Sequence, residues 1–310
     1  MQSKEKIIDK DQEFSFEVME KSNRRTCYLC GTSKFHRRSG GVRDNPTLKI
    51  LECSSCHLVF LSSQTHINKG FYENSCMHED HELEPDVWLN ETDKDDDRRF
   101  SFCKPLLKNK SVLDFGCGAG GFLLKAKNVA RQAEGLELEI RLKTHFEKVG
   151  LKVFSGLEEI GEKTYDIITC FHVLEHLPDP RKTLSDLSKR LEDGGQIIVE
   201  VPSANDVLLS LYQSREFSYF TYWSCHLFLF TADTISKLAM QSELRINYIK
   251  HIQRYPLSNH LYWLAKGKPG GHQKWYFLDS PELNFAYEKQ LATLGISDTI
   301  LASFSNSEKE

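Results

Sequence analysis

Apolar positions fall into two alternating rhythms across the middle of the chain. Val112, Leu113 and Phe115 form a short apolar run. Phe122, Ala126, Val129 and Ala130 then recur at helical spacing, with Lys125, Lys127 and Arg131 on the opposite face. A strand is predicted over residues 133–138, a helix carried by Leu142, Phe146 and Val149, and a short strand over 152–154. Residues 165–171 are nearly all apolar in their second half, as a strand covered on both faces must be. Asp179 is placed to cap a helix with Pro180 at its first position. Leu184, Leu187 and Leu191 form its stripe, and Gly194-Gly195 is its expected stop. A fifth strand follows over 196–201, a helix over 231–242, and a sixth and seventh strand over 245–251 and 260–265. Ser280-Pro281 should cap a last helix burying Leu283, Ala286, Tyr287, Leu291 and Leu294 and ending at Gly295, before a loose tail over 303–310. Strands alternating with amphipathic helices predict an α/β fold, a doubly wound parallel sheet that binds ligands outside the carboxyl ends of its strands.

Between the first strand and its helix lie four glycines in six positions, Gly116-Cys-Gly-Ala-Gly-Gly121. Glycine lets backbone approach a ligand, and a helix start offers unpaired N–H groups to an anion. Gly116, Gly118 and Gly121 satisfy a dinucleotide fingerprint, with Glu137, 21 residues after Gly116, as its ribose acid. The loop alone does not separate a nicotinamide enzyme from another nucleoside-cofactor enzyme.

Composition narrows the class. The 310 residues are 40% hydrophobic and 27% charged, with net charge −4. No apolar run approaches the ~20 residues of a membrane span, and no signal-peptide core follows Met1, so a cytoplasmic protein is expected. Residues 21–60 hold eight basic and two acidic side chains, whereas residues 61–99 hold four basic and eleven acidic ones. A phosphate-facing module before a solvated connector is one explanation, and two solvated faces is the other.

The nine cysteines include two C-x-x-C knuckles, Cys27/Cys30 and Cys53/Cys56, 22 residues apart. At this spacing four thiolates can surround one zinc, closing its shell and leaving it a scaffolding role. His57 is not needed as a ligand. Cys76 and Cys103 read as ordinary thiols, and His78 and His81 as solvated. The predicted organisation is a polar leader (1–25), a zinc ribbon (26–60), a connector or lid (61–107), a cofactor domain (108–268) and a C-terminal helix with tail (269–310).

Four ordered motifs carry a family resemblance over about residues 108–252. Asp114-Phe-Gly-Cys-Gly-Ala-Gly120, Gly135-Leu-Glu137, Phe171-His-Val-Leu-Glu-His-Leu-Pro-Asp-Pro180 and Leu191-Glu-Asp-Gly-Gly-Gln-Ile-Ile-Val-Glu-Val-Pro202 together resemble a class I S-adenosylmethionine-dependent methyltransferase. The resemblance implies a Rossmann-like seven-stranded sheet and S-adenosylmethionine as cofactor. It implies binding by Asp114, Gly116, Cys117, Gly118, Gly120, Glu137 and Leu138, with Gly156 and Leu157 at the adenine pocket and Phe171 and His172 at the reactive end.

The acceptor is expected beyond the fifth strand, where Phe217, Tyr219, Phe220, Tyr222, Trp223 and Phe228 crowd residues 203–230. His226 is the first candidate base and His176 the second, because imidazole titrates near neutrality. A four-cysteine ribbon on this fold resembles enzymes that methylate nucleotide-linked sugars. Their Tyr-His-Glu-His run corresponds here to Trp223-Ser-Cys-His226, with only the last histidine kept, and their extra C-terminal domain has no room in this chain. O-methylation of a nucleotide-linked or surface-glycan sugar is therefore expected over C-methylation. The rivals are an RNA methyltransferase using the basic ribbon, less favoured for an acidic chain, and a non-catalytic S-adenosylmethionine-binding module.

Overall fold

The computed structural model describes residues 26–67, 71–72 and 83–307; the predicted leader, Cys76, His78 and His81 lie outside them. Two sheets organise these residues. The first begins with β1 (Phe35–Arg37), β2 (Ile50–Cys53) and β3 (Val59–Leu61), antiparallel neighbours that carry the cysteine knuckles. A long helix, α1 (Pro85–Leu107), follows and leads into the second sheet.

That sheet alternates strand and helix as the periodicity predicts: β4 (Ser111–Phe115), α2 (Gly121–Ala126), β5 (Gln132–Leu136), α3 (Lys143–Val149), β6 (Lys152–Phe154), β7 (Tyr165–Phe171), α4 (Pro180–Ser188) and β8 (Leu191–Pro202). β4 is buried at every position. Asp179 caps α4 by accepting from the Lys182 N–H. Two short helices, α5 (Val207–Ser210) and α6 (Arg215–Thr221), and the strand β9 (Phe228–Leu229) fill the aromatic segment. Then come α7 (Ala232–Gln241), opened by a Thr231/Thr234 capping box, β10 (Leu244–Ile252), α8 (Leu257–Lys266), α9 (Gly271–Lys274), α10 (Pro281–Leu294) and β11 (Thr299–Asn306). The order is β10-β11-β8-β7-β4-β5-β6, with β4 to β8 parallel and β11 antiparallel to both neighbours. This is the Rossmann-like, seven-stranded architecture expected.

Four local expectations fail. Residues 260–265 belong to helix α8, whose apolar side buries Tyr262 and Trp263. The seventh strand is β11, whose second half comes from the segment read as a loose tail (303–310). Its alternating Ser and Thr look loop-like, yet Thr299, Ser303 and Ser305 are buried, and Ser303 Oγ donates to Gln196 at 2.7 Å. Gly194-Gly195 lies inside β8, in an irregularity of the β7–β8 register, where a Gly195 side chain would meet the backbone of Tyr165 and Asp166. In α10 only Leu291 is buried, while Leu283 and Leu294 face solvent.

The ribbon does not stand apart. β3 pairs with β9 from the aromatic segment, giving a four-stranded sheet β1-β2-β3-β9. One continuous apolar cluster runs from Cys27, Leu29 and Phe60 through Phe228 and Phe230 to Ile197 and Phe304. Tyr28 hydroxyl donates to Asp179 and accepts from the Arg181 N–H, and Gln241 donates to the Leu29 carbonyl at 2.7 Å.

Candidate active site

The turn after β4 is shaped by its glycines. Gly116 and Gly118 take φ of +74° and +53°, the left-handed region that side chains rarely enter. A Cβ on Gly118 would stand 2.9 Å from the Trp88 ring, and one on Gly116 would overlap Val173. Backbone is therefore bare where the turn meets a cavity of about 370 Å³. Glu137, just beyond β5, closes the same corner: its Oε2 accepts from the Gly118 N–H at 2.8 Å and its Oε1 from the Glu139 N–H at 3.0 Å. Burial raises its pKa against those bonds.

Eight of the residues expected at the cofactor line this cavity: Asp114, Gly116, Cys117, Gly118, Glu137, Leu138, Phe171 and His172. Three do not. Gly120 caps α2 from behind the turn. Gly156 and Leu157 open a short turn after β6 that faces Arg190, whose guanidinium donates to the Leu157 carbonyl at 3.1 Å. The resemblance placed them by sequence position alone, and they are not among the residues that line this cavity.

Helix α1 roofs the cavity with Trp88, Thr92, Asp95, Asp96 and Arg99. All five fall in the segment that the sequence reads as a connector or lid (61–107). Arg98 and Arg99 both bond Glu200 of β8, at 2.8 to 2.9 Å, and Asp95 pairs with Arg254 at 2.5 Å. Burial raises the Glu200 carboxyl, but its bond with His172 and the two arginine charges hold it well below the usual range.

The opposite end of the cavity is polar. His172 has φ +55°, its Nδ1 stands 3.2 Å from Glu175 Oε1, and its Nε2 stands 3.3 Å from both Glu200 Oε1 and Arg254 Nη1. Burial lowers its pKa, and the bonds to Glu175 and Glu200 overcome this and raise it. His176 lines the wall, with Nδ1 2.9 Å from the Cys225 carbonyl, while Tyr72 hydroxyl donates to the His176 carbonyl. His226 sits behind His176, ring centres 4.9 Å apart, rather than on the cavity wall itself. Burial first, then the His176 charge, lowers the His226 imidazole to about 3.

A family model described as a methyltransferase domain matches residues 92–248, half of the chain. The chain belongs to the S-adenosylmethionine-dependent methyltransferases. The match runs from α1 into β10, so it takes in the roof of the cavity, the glycine turn and Glu137. With it the nicotinamide alternative falls away. The methyltransferase is 33% identical over 115 residues to a tRNA U34 carboxymethyltransferase of Campylobacter hominis, covering 33% of this chain and 40% of that protein. It is 34% identical over 113 residues to a ubiquinone biosynthesis O-methyltransferase of Vibrio cholerae, covering 32% of this chain and 44% of that one. It thus spans less than half the length of these curated relatives. Among solved structures it is similar to a methyltransferase of Archaeoglobus fulgidus, with TM-score 0.47 and 19% identity over 71% of this chain and 94% of that one.

The cavity fits S-adenosylmethionine on its own terms. Its volume falls within the roughly 300–1,000 Å³ of small-molecule sites, bare backbone lines one side, and a carboxylate with free lone pairs stands at the end of β5. In the ribbon, the Sγ atoms of Cys27 and Cys56 are 3.5 Å apart and those of Cys30 and Cys53 3.4 Å, with all four within 4.8 Å. Tetrahedral thiolates with zinc bonds of ~2.3 Å stand about 3.8 Å from one another, so this cluster could hold zinc. His57 points away to Glu52 at 3.1 Å. Among the described residues, no helix is long and apolar enough to cross a membrane.

Proposed function

We propose that this methyltransferase methylates a hydroxyl oxygen of a small polyhydroxylated acceptor, a nucleotide-linked or surface-glycan sugar being the class its ribbon suggests. We place it in the cytoplasm, where a zinc-bound Cys27, Cys30, Cys53 and Cys56 set is not oxidised to disulfides. Glu137 takes the ribose hydroxyls of the cofactor, and the backbone at Gly116–Gly118 takes its methionyl part. When bound, the cofactor supplies a methyl group on a positively charged sulfur.

The observation that carries the acceptor assignment is the polar end of the cavity, where His172, His176, Arg254 and Tyr72 meet beneath α1. An acceptor enclosed there loses its water, and its hydroxyls need polar partners in exchange. The acceptor O–H bond is replaced by O–CH3, the C–S bond of the donor breaks, and the acceptor's proton is released at this end, where His176 stands on the wall with His226 behind it.

RNA fits less well because two of the ribbon's basic side chains, Arg38 and Arg43, are engaged within the protein. Arg38 donates to the Ala204 carbonyl at 2.6 Å, and Arg43 lies over the Trp223 ring at 4.5 Å. The test is transfer of labelled methyl from S-adenosylmethionine to sugar nucleotides, catechols and RNA offered in parallel. Label in a base-stable ether on a small acceptor is expected; label in RNA alone overturns the proposal.

A further inference from the structure

We infer that Glu175, His176 and His226 form a second metal site, for a divalent first-row transition ion, at the acceptor end of the cavity. One oxygen of the carboxylate and one nitrogen of each ring come within 4.8 Å of one another. Neighbouring donors around an ion with bonds near ~2.1 Å stand about 3 Å apart, so modest side-chain rotation closes the cluster.

Two atoms in the cluster call for a ligand. Glu175 is 0% exposed, yet among the described residues its Oε2 has no hydrogen-bond partner, and neither has Nδ1 of His226. A bare carboxylate oxygen beside a bare imidazole nitrogen is costly in a dry interior unless something answers both.

The outer partners already orient the donors. His176 Nδ1 faces the Cys225 carbonyl at 2.9 Å, which makes that nitrogen the N–H and leaves Nε2 as a lone pair toward Glu175. Glu175 Oε1 is held by His172 at 3.2 Å. The two chain segments that supply the donors are tied by the Leu227 N–H, which donates to the Glu175 carbonyl at 2.7 Å. The ribbon braces the second segment, where Asp44 accepts from the Ser224 N–H at 2.9 Å. Two imidazoles and a carboxylate suit Mn²⁺, Fe²⁺ or Zn²⁺ and leave coordination positions open.

Because His176 lines the cavity, an ion here meets the acceptor. It binds two adjacent acceptor oxygens and lowers the pKa of the one to be methylated, and the proton is released to water. The two histidines then act through the ion instead of taking the proton themselves. This role rests on the O-methylation proposal; the existence of the site does not.

The test is therefore direct binding, without acceptor. Enzyme holding no more than one zinc per chain is titrated with Mn²⁺ alone and followed by loss of the free-ion electron paramagnetic resonance signal. Wild type should bind a single Mn²⁺ with nitrogen couplings from two imidazoles. Glu175→Gln and His226→Ala should each weaken binding at least about tenfold while retaining S-adenosylmethionine binding as a sign of folding. Absence of Mn²⁺ uptake, a bound signal without imidazole nitrogen, or unchanged affinity in either folded variant overturns the site. If the variants do not fold, the nitrogen couplings in wild type decide alone.

Discussion

Gly118 and Glu137 are coupled through one hydrogen bond, from the Gly118 N–H to Oε2 at 2.8 Å. Removing that carboxylate frees the turn and deletes the proposed ribose acceptor together. Hydrogen bonds to a charged group contribute about 1.5–3 kcal/mol, so Glu137→Ala should weaken S-adenosylmethionine binding by roughly 10- to 100-fold in calorimetric titration. Unchanged affinity would remove Glu137 from the site. A second residue governs pH dependence without touching the cavity. Burial, reinforced by Asp298, raises Asp206 to about 8, while its carboxyl caps α5 by accepting from the Leu208 N–H. The unfolded carboxyl titrates near 4, so the folded chain holds this proton more tightly. The stabilisation is complete below about pH 4, shrinks as pH rises, and is lost above about pH 8. Asp206→Asn keeps a cap acceptor and cannot ionise. It should stabilise the protein at pH 8 and flatten its urea-unfolding profile between pH 5 and 8, by up to roughly 1.4 kcal/mol per unit. A variant with the wild-type slope would rule this out. The glycines and Glu137 were legible because their spacing is local. Glu200, Arg254 and Asp95 were not, since they come together only when α1, β8 and the end of β10 converge.

Helix α1 owes its place to charge as much as to apolar packing. Its arginines grip Glu200, a residue fully buried in β8. Neutralising that carboxylate leaves Arg98 and Arg99 facing an uncharged amide in a region with little water. Breaking a buried pair from one side costs about 3–5 kcal/mol, so Glu200→Gln should lose about that much in denaturant unfolding. Since α1 also roofs the cavity, affinity for S-adenosylmethionine should fall with it. A loss under about 1 kcal/mol would put the pair in the weak surface class. Elements with a strong apolar rhythm were legible: β7 from end to end, and α4 from its Asp179 cap through Leu187, although it stops at Ser188 and Leu191 belongs to β8. β11 was not, because Ser303 and Ser305 become apolar-like only once Gln196 and Asn247 satisfy their hydroxyls. α8 was mistaken for a strand because Leu261, Tyr262, Trp263 and Leu264 form a run too short for periodicity to decide.

At the scale of the molecule, the ribbon and the methyltransferase sheet share one core. The cysteine knuckles announced a module with its own boundary, and nothing in their spacing reveals that β3 extends to β9 or that Cys27 and Phe304 belong to one apolar cluster. Long-range pairing is what sequence periodicity cannot carry. The consequence is thermodynamic. A module that shares its core cannot unfold by itself without exposing Phe228, Phe230 and Tyr222, all buried, so the ribbon and the sheet should melt together. Scanning calorimetry of the described unit should give one transition, and Cys53→Ser, which opens the proposed zinc shell, should move that whole transition instead of deleting a separate one. Losing about 3 kcal/mol lowers Tm by roughly 6–12 °C in a domain of this class. Two resolved transitions in wild type, with only the smaller one affected by Cys53→Ser, would mean that the ribbon is an independent module. In the shared-core case the same substitution reaches the acceptor end, because β9 follows His226 directly and β3 holds it in register. Methyl transfer should then fall more steeply than S-adenosylmethionine affinity, whose proposed determinants at Gly116, Gly118 and Glu137 lie just beyond β4 and β5.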